Sequence, residues 1–372
     1  MISAERPRSV RQDDQAYVGR SATALVAFWD DHRAVVPASR SAWRVGCPGR
    51  YSRGGHQRSA ADRQEHARTS RCGRVPRIIE LSPLSQGEID GSPDGLVEAL
   101  FRHGTDIRVP SSDLRRDDYV ERALRGGYPE AVHRTDPGRR ARFLESYITD
   151  LVNRDVRQLS EIERPVDMRR LVNVVAASTA SLAVPAAIAS RLQLPASTVK
   201  RYLHLLDLLF ITRQIPAWST NLTTRAVATP KLVLADSGLA AHLTGMSLRR
   251  ARHPTAPVGP LIETFVLGEL TRQLALTDQP VRLYHYRDRD QYEVDAVLES
   301  ASGEIIACEV KAAETVRSED FRGIQRLARR LGDQLMAGIV LYAGGQPLPF
   351  GDRLRAWPIS TLWTLTSDAG EK

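Results

Sequence analysis

The sequence predicts an α/β chain of several domains. Its 372 residues exceed what one ordinary hydrophobic core organises. Stretches with helical spacing run from about residue 95 to 210, and from residue 281 short apolar strands alternate with a helix. The composition, 42% hydrophobic and 26% charged, is that of a globular protein.

Residues 1–75 read differently from the rest. Apart from 22–29 they show neither a 3.6- nor a 2.0-residue hydrophobic period, and they mix Arg, Ser, Ala, Gly and Gln. Such a stretch buries too little apolar area to offset backbone ordering, at about 1–2 kcal/mol per residue. It reads as a disordered basic tail or as a stretch translated out of frame. It also holds 14 Arg and seven acids, so most of the net charge of +8 lies there and the other 297 residues are close to neutral. Net charge therefore gives little support for nucleic-acid binding by the body of the protein.

From residue 76 the elements follow in order. Residues 77–81 suggest a short strand, and the phrase SPLSQGEI a turn. Residues 95–101 and 113–124 have helical spacing. Residues 142–156 form an amphipathic helix with Phe143, Ile148, Leu151, Val152 and Val156 on its apolar side. This segment, 76–165, is the first domain-sized piece.

Residues 166–250 form the second. Helices are expected at 168–176, 184–192 and about 197–209, the third capped by Ser197, with strands at 211–215 and 231–234. Helix, helix, turn, helix and two strands is the order of a winged helix-turn-helix. Ser197, Thr198, Lys200 and Arg201 are its candidate DNA contacts, with His204 beside them. The apolar Val199, Tyr202, Leu203, Leu205, Leu206, Leu208 and Leu209 argue instead for a helix packed between domains. Residues 236–256 look like a connector, and Trp218 reads as core packing.

Residues 251–372 form the third piece: a helix at 260–274, strands at 281–286, 293–298 and 304–311, a helix at 319–331, and strands at 338–342 and 354–358. Side chains alternate across a strand, so Glu309 and Lys311 in EIIACEVK project from one face. The preceding strand presents Asp295 with Glu293 and Val297, and a hairpin would bring Asp295 to Glu309. Two adjacent carboxylates bind Mg²⁺, which polarises a phosphodiester and lowers the pKa of an attacking water. Lys311 would stabilise the developing negative charge, and Glu263 on the preceding helix would complete the metal site. Acid-bearing helix, Asp strand and Glu-x-Lys strand look like the PD-(D/E)xK endonuclease core; a metal-free ion-pair cluster is the plainer alternative.

Cys47, Cys72 and Cys308 are too scattered for a disulfide framework or zinc site. The histidines, among them His204, His242 and His285, show no paired metal spacing and read as surface or filler. No apolar run approaches the roughly 20 residues that span a bilayer, and the N-terminus lacks a secretory pattern. A cytoplasmic location is the expectation.

Several phrases, GGYPEAV (126–132), RFLESYITDLVNRDV (142–156), STVKRYLHLLDLLFI (197–211), KLVLADSGLAAHLTG (231–245), GPLIETFVLGEL (259–270) and YRDRDQYEVDAVLE (286–299), occur in one order. Together they resemble the bacterial and archaeal AAA-type ATPases that carry the domain of unknown function 4143 at their C-terminus. The resemblance covers about residues 76–363. It implies an ATPase domain, of which 76–165 would be the late strand and helical lid, then a winged helix and a nuclease-like domain. The chain departs from it in having no G-x-x-x-x-G-K-[ST] and no lysine before Lys200. A phosphate-binding loop needs both its glycine-rich amides and its lysine, so no ATP site is expected here. A misassigned start, a frameshift or decay would each explain the departure. The expected function is that of a non-ATPase remnant whose nuclease-like domain binds or cuts nucleic acid with Mg²⁺. The alternatives are a protein-docking or self-associating module with an inactive nuclease fold, and an ATP-binding protein by family whose loop is lost from this chain.

Overall fold

The computed structural model describes residues 81–155 and 164–367. The segment 1–75, Val156 and most of the strand expected at 77–81 lie outside them; Leu81 itself is not in a strand. The described residues form a mixed α/β structure of fourteen α-helices and two sheets.

The expected turn at SPLSQGEI contains a helix, α1 (Gln86–Asp90). Ser85 and Glu88 cap it reciprocally, and Gly91 closes it in the left-handed region. Next come α2 (Leu96–His103), α3 (Arg116–Arg125), α4 (Pro129–His133) and α5 (Pro137–Asp150), which runs on as a π-helical turn, Leu151–Asp155. The buried stripe of α5 is Leu144 and Ile148, continuing to Leu151 and Val152; Phe143 is only half-buried.

The middle segment comprises α6 (Pro165–Ala177), β1 (Ser181–Leu182), α7 (Pro185–Leu192), α8 (Ala196–Leu208), β2 (Thr212–Ile215), α9 (Leu222–Val227) and β3 (Lys231–Leu234). The strands form an antiparallel sheet in the order β1-β3-β2. Pro195, not Ser197, occupies the N-cap of α8, because the helix starts two residues earlier than a serine cap requires. The expected connector at 236–256 holds two short helices, α10 (Ser237–Leu243), capped by Asp236, and α11 (Leu248–Ala251), capped by Ser247.

Helix α12 (Val258–Gln273) is buried at ten positions around its circumference, so it is an internal helix rather than an amphipathic one. Two of its polar side chains bond distant backbone. Glu269 accepts from Gln86 N (2.9 Å), and Gln273 accepts from Val97 N (3.0 Å) and donates to Leu362 O (2.6 Å). Thr264 pairs with Thr179 (2.9 Å).

The second sheet is built from β4 (Val281–Arg287), β5 (Glu293–Ser300), β6 (Ile305–Lys311), β7 (Leu335–Tyr342), β8 (Leu348–Pro349) and β9 (Leu354–Pro358), in the order β4-β5-β6-β7-β9-β8. The first three are antiparallel; β7 and β9 add in parallel after a crossover through α13 (Arg322–Leu331). The last helix is α14 (Thr361–Thr364). Cys308, Ile306, Ile339 and Leu341 pack towards α12, whereas Ala307, Ile305 and Val340 pack against Ile324 and Leu327 of α13. The sheet is thus the middle of three layers.

Gly323 lets α13 lie directly on β5, because a Cβ there would stand 1.8 Å from the Glu293 carbonyl oxygen. Gly259, with nothing near its Cβ position, is the matching control. Gly323→Ala is expected to cost about 3 kcal/mol in urea unfolding. Gly259→Ala should be neutral or stabilising by up to about 1 kcal/mol.

Candidate acid cluster at the sheet edge

The β5–β6 hairpin turns at Gly303, whose φ of +88° suits a residue without a side chain. Its register pairs Ala296 with Cys308; continued by one residue, it sets Asp295 opposite Glu309. On its other side β5 does not keep register. Tyr284 pairs with Val297 and Tyr286 with Val294, so two residues, Asp295 and Ala296, stand against the single His285. This β-bulge breaks the simple alternation expected for Glu293, Asp295 and Val297: Val294 and Val297 enter the same core cluster. The bulge turns the Asp295 side chain out of strict alternation at that point.

Asp295 Oδ2 accepts from the Val310 backbone N–H (3.0 Å), and Oδ1 accepts from Lys231 Nζ (3.0 Å). The same ammonium donates to Glu263 Oε1. Lys311 Nζ donates to Glu309 Oε1 (3.1 Å) and lies 3.8 Å from Asp320 Oδ1. Glu309 Oε2 is buried without a hydrogen-bond partner. The structure therefore gathers all four expected site residues, Glu263, Asp295, Glu309 and Lys311, and adds Lys231 and Asp320. As they stand, no three His, Cys, Asp or Glu side chains among the described residues have the arrangement of a metal cage.

Lys231 reaches the cluster from the other sheet. It begins β3, paired with Leu182 on one side and Ile215 on the other, and only 7% of its side chain is exposed. Beyond β2 the chain runs beside β4: Ala217 bridges His285, Trp218 N donates to His285 O (2.6 Å) and His285 N donates to Pro216 O (3.0 Å). Trp218 is buried, as its core reading expects. His285 is also buried, not at the surface, and its Nε2 donates to Thr229 O (3.1 Å) just ahead of Lys231.

Charge in this cluster is short of balance. Burial, reinforced by Asp295, pushes Glu263 and Glu309 up to about 8 against the pull of Lys231 and Lys311. Burial alone would lower the Lys231 ammonium, but Asp295 and Glu263 overcome it and the net shift is upward. Burial, then the nearby Lys231 cation, lowers His285 to about 4 and keeps it neutral. Burial lifts the Cys308 thiol to about 12, leaving it unreactive within the sheet.

One signal for Lys231 is present in the sequence. The chain has 52 basic residues and only four are lysine, so a lysine heading the fully buried KLVL strand is an exception. A compact ammonium with three donors fits between two carboxylates where a planar guanidinium fits less well.

The expected DNA-contact residues lie elsewhere. On α8, Ser197, Lys200, Arg201 and His204 are exposed and Thr198 is half-buried, while Val199, Tyr202, Leu203, Leu205 and Leu206 form the buried face. The polar residues of the helix thus share a solvent face that also includes the exposed Leu208.

Comparison with known proteins finds two domain models. A domain of unknown function (DUF8612) matches residues 116–250, from α3 to α11. A domain of unknown function (DUF4143) matches 258–362, from α12 to α14, and so contains Glu263, Asp295, Glu309 and Lys311, while Lys231 falls in the other match. Uncharacterized proteins of Mycobacterium bovis and Mycobacterium tuberculosis are each 30% identical over 288 residues, 77% of this chain. The chain spans 62% of the length of these relatives. No solved structure matches, and no helix of the described residues is long and apolar enough to cross a membrane.

A carboxyl group raised on folding stabilises the fold at low pH and loses that contribution as pH rises through the folded value. Glu269, raised to about 7 by burial, completes its change lower than the cluster glutamates, and His285, lowered to about 4, acts in the opposite sense below its unfolded value of 6.5. Between about pH 7 and 8.5 the cluster glutamates therefore set the slope. The thermal midpoint should fall across that range, and Glu309→Gln should flatten the fall. A wild-type midpoint that rises there would contradict the cluster's charge imbalance.

Proposed function

We propose that the C-terminal module holds a divalent cation at Asp295 and Glu309 and there binds or cuts nucleic acid. The observation that carries this reading is the Glu309 carboxylate: Lys311 engages Oε1, and Oε2 is buried with no donor beside the Asp295 strand. A buried acceptor without a partner costs about 1–3 kcal/mol, more for a charged group, and Mg²⁺ or Mn²⁺ would satisfy it with oxygen ligands. A bound ion would polarise a phosphodiester and lower the pKa of water. The residues themselves supply the rest. Val310 N–H holds Asp295, Asp295 faces Glu309, and Lys311, with 31% of its side chain exposed, can reach a phosphate and stabilise its developing charge.

The order of elements favours the same reading. A helix bearing Glu263, three antiparallel strands, a helix and a parallel strand is the arrangement of PD-(D/E)xK endonucleases, with Glu309 and Lys311 on the third strand. In this reading residues 166–250 are a winged helix-turn-helix whose α8 offers Ser197, Lys200 and Arg201 to nucleic acid, and 76–165 is the remnant of an AAA-type domain. No ATP site is proposed for this chain.

A second reading, a docking module with an inactive nuclease-like fold, has its own support. Leu222 and Val227 on α9 are 73% and 80% exposed, and no residue of that helix is buried. It requires an oligomer or partner complex indifferent to Glu309→Gln.

The test is cleavage of plasmid, linear duplex and single-stranded DNA by the full chain with Mg²⁺ or Mn²⁺. Cleavage is expected to fall by about 100-fold or more in Lys311→Ala, the magnitude typical of losing one charge-stabilising group. Wild type and variant behaving alike would remove the nuclease reading and leave the docking one.

A further inference from the structure

We infer that the Lys231 ammonium is a built-in cation of the acid cluster, occupying the position between Glu263 and Asp295 so that the cluster takes one divalent ion fewer than its carboxylates could hold. The inference deepens the cation-binding reading above and rests on it for the ion at Glu309.

Geometry carries the argument. Lys231 Nζ donates to one oxygen of Glu263 and to Asp295 Oδ1 at 3.0 Å. A magnesium ion binds oxygen at about 2.0–2.1 Å, so an ion bridging those two oxygens would collide with the ammonium. The other Asp295 oxygen accepts from Val310 N and keeps a second lone pair for the ion shared with Glu309. Lys311 serves Glu309 and Asp320 rather than Glu263, which leaves Lys231 as the cation on Glu263. The Glu309 Oε2 atom lies outside this arrangement and stays available.

The ammonium is also held in place by more than its own ion pairs. β3 is the central strand of its sheet, Lys231 is in register with Leu182 and Ile215, and His285 fixes the Thr229 carbonyl two residues before it. Four flexible side-chain bonds would otherwise make a lysine a poor stand-in for a fixed ion. A strand from a different sheet thus completes the charge of a site built on β5, β6 and α12. Glu263, expected as a metal ligand, becomes a ligand of Lys231.

The test replaces Lys231 with methionine, which keeps the stem and removes the charge, and counts Mn²⁺ bound by the full chain with calorimetry and with electron paramagnetic resonance of the free ion. Lys231→Met should bind one more Mn²⁺ than wild type, and Lys231→Met/Glu263→Gln should lose the added ion or hold it at least tenfold more weakly. One ion in wild type and two in the variant supports both this inference and the cation-binding reading. None in wild type and one in the variant supports the inference and removes that reading for the natural chain. Equal numbers bound with equal affinity overturn the inference; if that number is zero, the cation-binding reading falls too. Should Lys231→Met fail to fold alone, circular dichroism decides. Folding restored by millimolar Mn²⁺ but not by NaCl of equal ionic strength supports the inference, and a chain unfolded in both overturns it.

Discussion

Carboxylates leave water together only when cations or protons neutralise them, and that constraint organises the centre of this protein. Glu263, Asp295 and Glu309 come from a helix and two strands, yet they share one shielded region with two lysines. An isolated buried charge costs several kcal/mol even after relaxation, so removing one partner is far more damaging than never having built the pair. The consequence is structural before it is functional. β3 must sit where its first side chain reaches β5, and β5 must bulge at Asp295 for its carboxylate to meet both Lys231 and the Val310 amide. The two sheets, which share one hydrophobic core cluster, are further linked through that ammonium and through the backbone bonds of Pro216 and Trp218 to His285.

The helices of residues 81–150 depend on a related device. α12 is too buried to present an ordinary polar face, and two of its polar side chains serve backbone groups of other elements. Glu269 and Gln273 accept from the amides of Gln86 and Val97, near the starts of α1 and α2, where helical amides lack intrahelical partners. Glu269 is fully buried and is paired with Arg272. Gly238 belongs to the same packing, since its missing Cβ allows α10 to approach the Arg125 carbonyl closely, at the end of α3. These are long-range pairings of single residues, and none has a sequence period.

That difference separates what was legible in the sequence from what was not. The β5–β6 hairpin and the shared face of Glu309 and Lys311 follow from period-two alternation and a Ser-Gly turn, which are local. So do α8 and β3 as elements. The bulge at Asp295 is invisible in the alternation, because Glu293, Asp295 and Val297 look regular until β4 pairs across them. The partner of Glu263 is 32 residues away and that of Asp295 is 64 residues away, on a strand whose remaining residues are apolar. The helices at 237–243 and 248–251 were hidden for another reason: they are four to seven residues long, too short for a hydrophobic period, and betrayed only by the Asp236 and Ser247 caps. Ser197 is the opposite case, since a favourable cap residue at the second position of the helix looks the same in one dimension.

Lysine's rarity in this chain gives the cluster its chemical sense. Apart from the exposed Lys200, arginine serves where a described basic side chain meets solvent, as in the pairs of Arg169 with Glu145 and Arg326 with Asp288. Both structured lysines with buried partners stand in the acid cluster. An arginine at 231 would bring a planar fork suited to one carboxylate edge-on, and would spread its charge over a larger group. Two carboxylates from different elements, converging on one point, call for a point charge with donors in several directions. Lys311 meets the same requirement between Glu309 and Asp320, but with nearly a third of its side chain open to solvent. The two ammoniums therefore divide the work by burial: the enclosed one holds elements together, and the accessible one can meet whatever anion approaches the sheet edge.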